Sequence, residues 1–143
     1  MSLDRAYEDD NVFARILRGE LPAAKVHEDE RTLAIMDAYP QARGHVLVMP
    51  KGVRAVNLLD VPADTLSALA IRTQLIAGAV VDALGPKGVR VMQFNGAAAG
   101  QSVFHLHVHV VPVYADADER AHASEAVPVE ELQRTAALIR ARL

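Results

Sequence analysis

The sequence predicts one α+β domain, in which a five-stranded, mostly antiparallel sheet carries a long helix on one face and short helices lie near both ends of the chain. Three observations support this fold class. The chain has 143 residues, and 51% of them are hydrophobic, which is enough for one buried core. Short apolar runs separated by turn residues indicate strands, and a single long segment carries helical periodicity. Because the strands are joined by short links, antiparallel pairing is favoured.

The first half of the chain predicts a helix followed by three strands. Asn11 is suited to cap a short helix over 12–18, and Gly19 is suited to end it. Two short strands form a hairpin, and a third strand stops at Pro50. The predicted ranges of these strands are 25–28, 32–37 and 45–49.

The second half predicts the long helix, two more strands and a terminal helix. The long helix follows Pro62 and stops at Gly85, because apolar residues recur between them at spacings of three and four. Strands are predicted at 89–94 and 103–111, and the last helix at 129–143. This organisation gives an N-terminal arm over 1–10, a domain over 11–114, and a polar connection with a C-terminal helix over 115–143.

Composition excludes several classes of protein. The 15 basic and 18 acidic residues give a net charge of −3, which argues against a general nucleic-acid or anionic-membrane binder. The absence of cysteine excludes disulfides, thiolate nucleophiles and cysteine-ligated zinc. We expect a cytoplasmic protein, because the acidic N-terminus lacks the apolar core of a signal peptide. The apolar stretch 66–84 is interrupted by polar residues, so it is expected to be a core helix and not a membrane span.

Three histidines alternate with apolar residues in the last predicted strand. Side chains alternate across a strand, so His105, His107 and His109 are expected on one face. The other face would then pack on the long helix; its residues are Phe104, Leu106, Val108 and Val110. Three imidazoles in a row add little to stability, and the pattern therefore indicates a functional site.

Two kinds of chemistry are compatible with this row of imidazoles. Neutral histidines can bind zinc and leave an open position for water. Alternatively, one imidazole can attack phosphorus while its neighbours donate hydrogen bonds. Residues i and i+4 of a strand lie about 13 Å apart, which makes convergence of all three rings on one ion difficult.

The loop before the histidines favours phosphate as the ligand. Residues 96–100 are all glycine or alanine, so their backbone amides are accessible to an anion. Asn95, Gln101 and Ser102 add neutral hydrogen-bonding side chains on either side of this loop.

Four segments together resemble the histidine triad (HIT) hydrolases, and in particular the Hint branch and its bacterial relatives. The strongest is GQSVFHLHVHVV, which is similar to the family signature of three histidines separated by apolar residues. The others are FARILRGELPA at 13–23, DAYPQA at 37–42 and GHVLVMPK at 44–51. The resemblance extends in register from about residue 11 to residue 114.

The resemblance implies an HIT-like fold and a metal-independent enzyme without a cofactor. Its substrate would be a purine nucleotide, cleaved at the α-phosphorus through a nucleotidyl-histidine. His107 would be the nucleophile, His109 would contact the phosphate and the leaving group, His105 would orient the nucleophile, and His45 would support them from behind. A homodimer is also implied, in which the long helix and a strand edge form a ten-stranded sheet across two subunits.

The same resemblance implies a set of substrate-binding residues. Asp37 would hold the ribose hydroxyls, and Ser102 would lie near the leaving group. The phosphate would be contacted through Asn95, Ala99, Gly100 and Gln101, and the base pocket would be lined by Val12, Phe13, Ile16, Leu33 and Ile35.

One position departs from the family pattern. Many relatives carry a second polar residue before the Asn-Gly pair, whereas this chain has Phe94. The substitution removes a phosphate donor and bears on the choice of leaving group. The favoured activity is that of a nucleoside phosphoramidase; the alternatives are a dinucleoside polyphosphate hydrolase or phosphorylase, and a nucleotide-binding regulatory module with incidental turnover.

Overall fold

A five-stranded sheet with strand order β1-β2-β3-β5-β4 organises the molecule, and every neighbouring pair of strands is antiparallel. The computed structural model describes residue 3, residues 5–115 and residues 125–143. The strands are β1 (Lys25–Glu28), β2 (Thr32–Met36), β3 (Val46–Pro50), β4 (Gly88–Met92) and β5 (Val108–Val113). The helices are α1 (Val12–Leu17), α2 (Ala63–Leu84) and α3 (Val129–Arg140), with a short 3-10 helix at Ala97–Ala99. The predicted α+β fold class is confirmed.

The main core lies between the sheet and α2. Leu69, Ile76 and Val80 of α2 are buried in one cluster with Val48 of β3 and Val110 of β5. Helix α3 packs beside α2 and extends the same cluster. By length and composition alone α2 could cross a membrane. In this fold its apolar face is instead the inner surface of the domain, as predicted.

A second cluster covers the opposite face of the sheet. Phe13 and Ile16 of α1 pack against Leu33, Leu47 and Met49. Both faces of β2 and β3 are therefore buried, which explains their continuous apolar sequences. The short helix α1 thus places Phe13 directly over the sheet.

The predicted strand over 103–111 is wrong in its extent, because β5 begins only at Val108. In the observed register Val48 lies opposite Val108, so Pro50 would lie opposite Leu106. Proline has no backbone N–H to contribute to a ladder, and the Leu106 N–H donates instead to the Ala55 carbonyl at 2.9 Å. Residues 103–107 are consequently a bent segment and not a strand.

The ends of other elements also differ slightly from the prediction, by two residues or fewer at most boundaries. Helix α2 matches its predicted bounds and ends at Gly85, which has a left-handed conformation. Most of the predicted polar connection, residues 116–124, lies outside the described residues.

Gly44 lies in the turn before β3 and close to the end of α2. We predict that Gly44→Ala is strongly destabilising. Gly44 has φ +92°, and an added β-carbon would lie 2.3 Å from Leu84 Cδ1 and 3.2 Å from Pro112 Cγ. Backbone strain of about 1–2 kcal/mol adds to overpacking of about 1–3 kcal/mol. Denaturant unfolding should therefore show a loss of about 2–5 kcal/mol.

Gly52→Ala is the matched control, because Gly52 has φ +76° but no atom near the added carbon. It should lose only the strain contribution of about 1–2 kcal/mol. In a Leu84→Ala background the cost of Gly44→Ala should approach that of Gly52→Ala. Equal costs for the two glycine variants in the wild-type background would contradict the steric explanation.

Candidate active site

Three histidines, His45, His109 and His107, form a chain of ring contacts where β3 and β5 lie side by side. His45 immediately precedes β3 and His109 lies in β5, so the pairing of these strands brings them together. The distance from His45 Nε2 to His109 Nδ1 is 2.9 Å, and the ring centroids of His107 and His109 are 5.0 Å apart. The predicted row of histidines is thus brought together, although only His109 lies in a strand.

The ring of His107 is held in one orientation by the backbone. Its Nδ1 lies 2.7 Å from the carbonyl oxygen of His105. A carbonyl can only accept, so Nδ1 carries the hydrogen, and the lone pair of a neutral ring lies on Nε2. The side chain is also buried, which lowers the pKa of His107 and keeps this lone pair available.

In His45 a backbone donor places the hydrogen of the neutral ring on Nε2, whereas in His107 the hydrogen is on Nδ1. The Gln41 N–H donates to His45 Nδ1 at 3.1 Å, so the hydrogen of the neutral ring lies on Nε2 and is donated to His109 Nδ1. Burial, with smaller contributions from the neighbouring His109 and His107, lowers the pKa of His45 to about 3. His109 therefore accepts at Nδ1, and a neutral His109 carries its own hydrogen on Nε2.

His105 lies behind the site and does not line the cavity. Its Nε2 is 3.4 Å from the Pro50 carbonyl, so this nitrogen carries the hydrogen and Nδ1 accepts from the Tyr7 hydroxyl at 2.8 Å. Burial lowers the pKa of His105 to about 4, although the Pro50 carbonyl acts in the opposite direction. Tyr7 was not predicted, because no sequence pattern distinguishes it within the N-terminal arm.

Asp37 follows β2 and reaches the same group of side chains. Its Oδ1 accepts from the Tyr39 N–H at 2.8 Å, and its Oδ2 lies 3.5 Å from His45 Nε2. Burial raises the pKa of the Asp37 carboxyl above its usual value, while the Tyr39 N–H lowers it. The carboxylate lines the cavity described next, as a ribose-binding residue requires.

Asp37, His45 and His109 each offer one atom to a common point, with all three atoms within 4.8 Å of one another. This spacing would allow all three atoms to contact one metal ion. To bind a metal through Nε2, a neutral His45 must carry its hydrogen on Nδ1. The Gln41 N–H already points at Nδ1, and two donors would then face each other. The hydrogen-bond pattern therefore opposes a metal at this position.

A cavity of about 430 Å³ opens in front of His107 and His109, which is a suitable volume for a nucleoside. Of the predicted base-pocket residues, Val12, Phe13, Ile16 and Ile35 line it. Leu33 does not line it, since its side chain is fully buried under α1, and this expectation is corrected. The wall also contains residues that the sequence analysis did not predict, namely Tyr39, Leu47, Val127, Val129 and Leu132.

The loop over 95–102 differs from the expected phosphate cradle. The Gln101 side chain is buried, with its carbonyl accepting from the Gly96 N–H and its amide donating to the Val56 and Val103 carbonyls. Asn95 Oδ1 accepts from the Leu58 N–H and from the Gln93 side chain. Both amides therefore brace the loop instead of pointing outwards.

Backbone amides in the same loop are also engaged. The N–H groups of Ala99 and Gly100 donate to carbonyls within the 3-10 turn, and that of Gln101 donates to the Gly96 carbonyl. A short loop satisfies its own polar groups where no strand partner is available. Ala99, Gly100 and Ser102 are exposed, but of the residues predicted around the phosphate only Ser102 lines the cavity.

Comparisons with known proteins all find similarity to proteins with a HIT domain. The model of the HIT domain family matches residues 18–116. An Arabidopsis thaliana protein named adenylylsulfatase HINT3 is 39% identical over 105 residues, which are 73% of this chain and 53% of that protein. The chain thus spans about half the length of this relative.

Two solved structures are similar over nearly the whole chain. A HIT-like protein from Bartonella henselae, described as involved in cell-cycle regulation, is 42% identical with a TM-score of 0.92, covering 97% of this chain and 100% of that chain. A zinc-bound histidine triad family protein from Mycobacterium smegmatis is 36% identical with a TM-score of 0.79, covering 93% and 92%.

We predict that stability falls as the pH falls from about 6.5 to 4. The folded-state pKa values of His45 and His105 are about 3 and 4, against 6.5 in the unfolded chain. In this interval the unfolded chain binds protons that the folded chain does not, at about 1.4 kcal/mol per pH unit and histidine. Urea unfolding at pH 7.5, 6, 5 and 4 measures this slope.

His45→Asn should reduce the slope by the contribution of one group, and His27→Asn, which changes a histidine outside the site, is the control. Each slope is the change in unfolding free energy with pH for one variant, so a lower absolute stability of that variant does not affect it. An unchanged slope in His45→Asn would contradict burial of a neutral imidazole at this position.

Proposed function

The chain belongs to the HIT family, a family of nucleotide-binding hydrolases, and from this we propose that it cleaves a bond at the α-phosphorus of a purine nucleotide. The reaction is of the nucleoside phosphoramidase type and passes through a nucleotidyl-histidine on His107. The observation that carries the proposal is the 2.7 Å hydrogen bond from His107 Nδ1 to the His105 carbonyl. It directs the Nε2 lone pair of a buried, neutral ring into the site.

In the first step His107 Nε2 bonds to the α-phosphorus and the bond to the leaving nitrogen breaks. The electron pair stays on that nitrogen, which takes a proton from water and departs as an amine. The positive charge of the substituted imidazole is stabilised by the His105 carbonyl that accepts from Nδ1–H. In the second step the hydroxide left by that water attacks the phosphorus, the P–Nε2 bond breaks with its electron pair returning to Nε2, and the nucleoside monophosphate leaves.

His109 and Ser102 are proposed to bind the reacting phosphate. His109 accepts from His45 at Nδ1, so its Nε2–H is the donor for phosphate oxygen or for the leaving group. Ser102 lines the same cavity and adds a hydroxyl. His45 is a positioning residue, since it is 1% exposed and acts through His109.

The cavity is proposed to hold the nucleoside. Phe13, Ile16 and Ile35 offer apolar contacts for the base. Asp37 is positioned to accept from the ribose hydroxyls, because its carboxylate faces the cavity while the Tyr39 N–H fixes its orientation. Asn95, Ala99, Gly100 and Gln101 are proposed to shape the phosphate site through the backbone of their loop.

We further propose that turnover needs neither a metal nor another cofactor. The lone pair on His107 Nε2 must be free to attack, and a metal bound there would block it. At the neighbouring cluster, the Gln41 N–H opposes ligation by His45.

The described residues favour this substrate class over dinucleoside polyphosphates. Within residues 5–115 and 125–143, neither lysine nor arginine lines the cavity, although a polyphosphate would carry several negative charges. The name of the Arabidopsis relative, adenylylsulfatase, is consistent with cleavage next to a nucleotide phosphorus. A binding module with incidental turnover would need no aligned lone pair on His107.

We propose that the protein is cytoplasmic and forms a homodimer, with neither nucleic acid nor membrane as a partner. Strand β4 is a free edge of the sheet in this chain, and Val91 on it is 52% exposed. Beside it lies an apolar groove of about 430 Å³ between α2 and β4, lined in part by Leu66, Ala70 and Met92. A second copy would cover both the edge and the groove.

His107→Ala is expected to lower kcat for adenosine 5′-phosphoramidate by at least about a thousandfold, because covalent catalysis is lost and each tenfold corresponds to about 1.4 kcal/mol. Nucleotide affinity, measured by calorimetry with AMP, should change little. His27→Ala is the matched control for removal of a histidine. A His107→Ala rate above one tenth of the wild-type rate would exclude His107 as the nucleophile.

The same assay after extensive chelator dialysis tests metal independence. The wild-type rate is expected to stay within about twofold, since no step uses a metal-activated water. An inactive chelated protein that regains activity with one equivalent of zinc would replace the covalent mechanism by a metal-dependent one.

Light scattering is expected to give twice the chain mass of 15.4 kDa at micromolar concentration. Val91→Glu should shift the protein towards the monomer, because it places a charge on the paired edge. Leu138→Glu changes an equally exposed apolar residue on α3 and should leave the dimer intact. A monomeric wild type would overturn the dimer proposal.

A further inference from the structure

The ring of Phe94 lies against His109 of the candidate site and not in the core. Its centroid is 5.4 Å from that of His109, with the two planes inclined by 57°. A β-carbon on Gly100 would lie 3.8 Å from ring atoms Cγ and Cδ1, so the ring faces the Gly100 backbone. The side chain is only half-buried, which leaves part of the ring accessible.

Hydrogen bonds on both sides of Phe94 fix the backbone that carries this ring. The Gln93 side-chain amide donates to the Phe94 carbonyl at 3.0 Å and to Asn95 Oδ1 at 2.9 Å. Asn95 Oδ1 also accepts from the Leu58 N–H at 2.9 Å. The backbone around Phe94 is thus tied to a neighbouring loop, and the ring is a pre-positioned surface.

The position of Phe94 relative to the cavity indicates which part of a substrate it meets. His107 and His109 line the nucleoside cavity, whereas Phe94 contacts His109 without lining that cavity. With the nucleoside in the cavity and the phosphorus at His107 Nε2, the group beyond the phosphorus extends past His109. Phe94 is therefore placed beside the leaving group.

We propose that Phe94 determines leaving-group specificity and selects nucleoside phosphoramidates of apolar amines, aromatic ones above all. This inference rests on the proposed function. The step is the one given above: the P–N bond breaks as His107 Nε2 bonds to phosphorus, and the amine leaves after taking a proton from water. Phe94 takes no part in the bond changes and acts by contact with the departing group.

The chemistry of an aromatic ring explains this selectivity. An apolar substituent on the amine is removed from water when it packs on the ring, and an aromatic substituent adds a stacked or edge-to-face contact. A phosphate or sulfate group in the same place would lose hydration without gaining a donor from Phe94. An asparagine there would reverse the preference, because its amide donates to an anion.

Two adenosine 5′-phosphoramidates that differ only in the amine test the proposal, one N-benzyl and one N-methyl. Their kcat/KM ratio cancels any effect that a substitution has on the nucleophile or the fold. For the wild type the ratio should favour N-benzyl by about tenfold, and Phe94→Asn should lower it to about one. Phe94→Tyr should keep the ratio, and Phe104→Leu, which changes an aromatic residue that does not line the cavity, should leave it unchanged.

The outcomes separate this inference from the proposed function. If the wild type cleaves N-methyl phosphoramidate but shows no preference for N-benzyl, or if Phe94→Asn keeps the wild-type ratio, Phe94 is not the specificity residue and the proposed function stands. If the wild type cleaves neither phosphoramidate, both proposals fall. A variant that unfolds is recognised by thermal melting, and Phe94→Leu, with an expected intermediate ratio, then replaces Phe94→Asn.

Discussion

The candidate active site depends on one hydrogen bond within a single bent segment, from His107 Nδ1–H to the carbonyl of His105 at 2.7 Å. A carbonyl that accepts from a side chain two residues later is engaged there and not in the sheet ladder. The bend is possible because the ladder between β3 and β5 ends at the Val48–Val108 pair, before Pro50, and because the Leu106 N–H donates to the Ala55 carbonyl. The end of strand pairing and the orientation of the central imidazole are thus one structural feature.

Backbone groups also determine which ring nitrogen carries the hydrogen in His45 and His105. Each ring is adjacent to a backbone group that can only donate or only accept: the Gln41 N–H for His45 and the Pro50 carbonyl for His105. These contacts determine which nitrogen carries the hydrogen. Burial then lowers the pKa values of His45 and His105 far enough that both rings stay neutral. The backbone therefore prepares the site for a neutral imidazole, and the same polarity opposes a metal.

The loop before the histidines has a supporting role in this arrangement. The Gln101 side chain hydrogen-bonds to the backbone of Gly96, Val56 and Val103, and the Asn95 side chain accepts from the Leu58 N–H. The small residues between Asn95 and Gln101 therefore form a closed turn. This turn carries Phe94 at one end and Ser102 at the other, which gives the site one apolar and one polar boundary. Small side chains in the loop permit this tight turn, and the phosphate-binding groups that we propose come mainly from the histidines and Ser102.

The sequence alone predicted the α+β class, the length of α2 and the grouping of His105, His107 and His109, because these depend on local periodicity and on residue type. The alternation of apolar and histidine side chains was also predictable, and it persists through a segment that is not a strand. Tertiary structure decided the rest. The residue at which β5 begins depends on Pro50, which is far away in the chain. The backbone partners of Gln101 also lie at positions that only folding brings close. Tyr7, Gln41 and Leu132 reach the site from segments without a motif, since a contact between distant parts of a chain leaves no periodic signal in the sequence. The same reason explains Phe94: the sequence marked it as unusual, but only the packing of its ring on His109 decided that it faces the site and not the core.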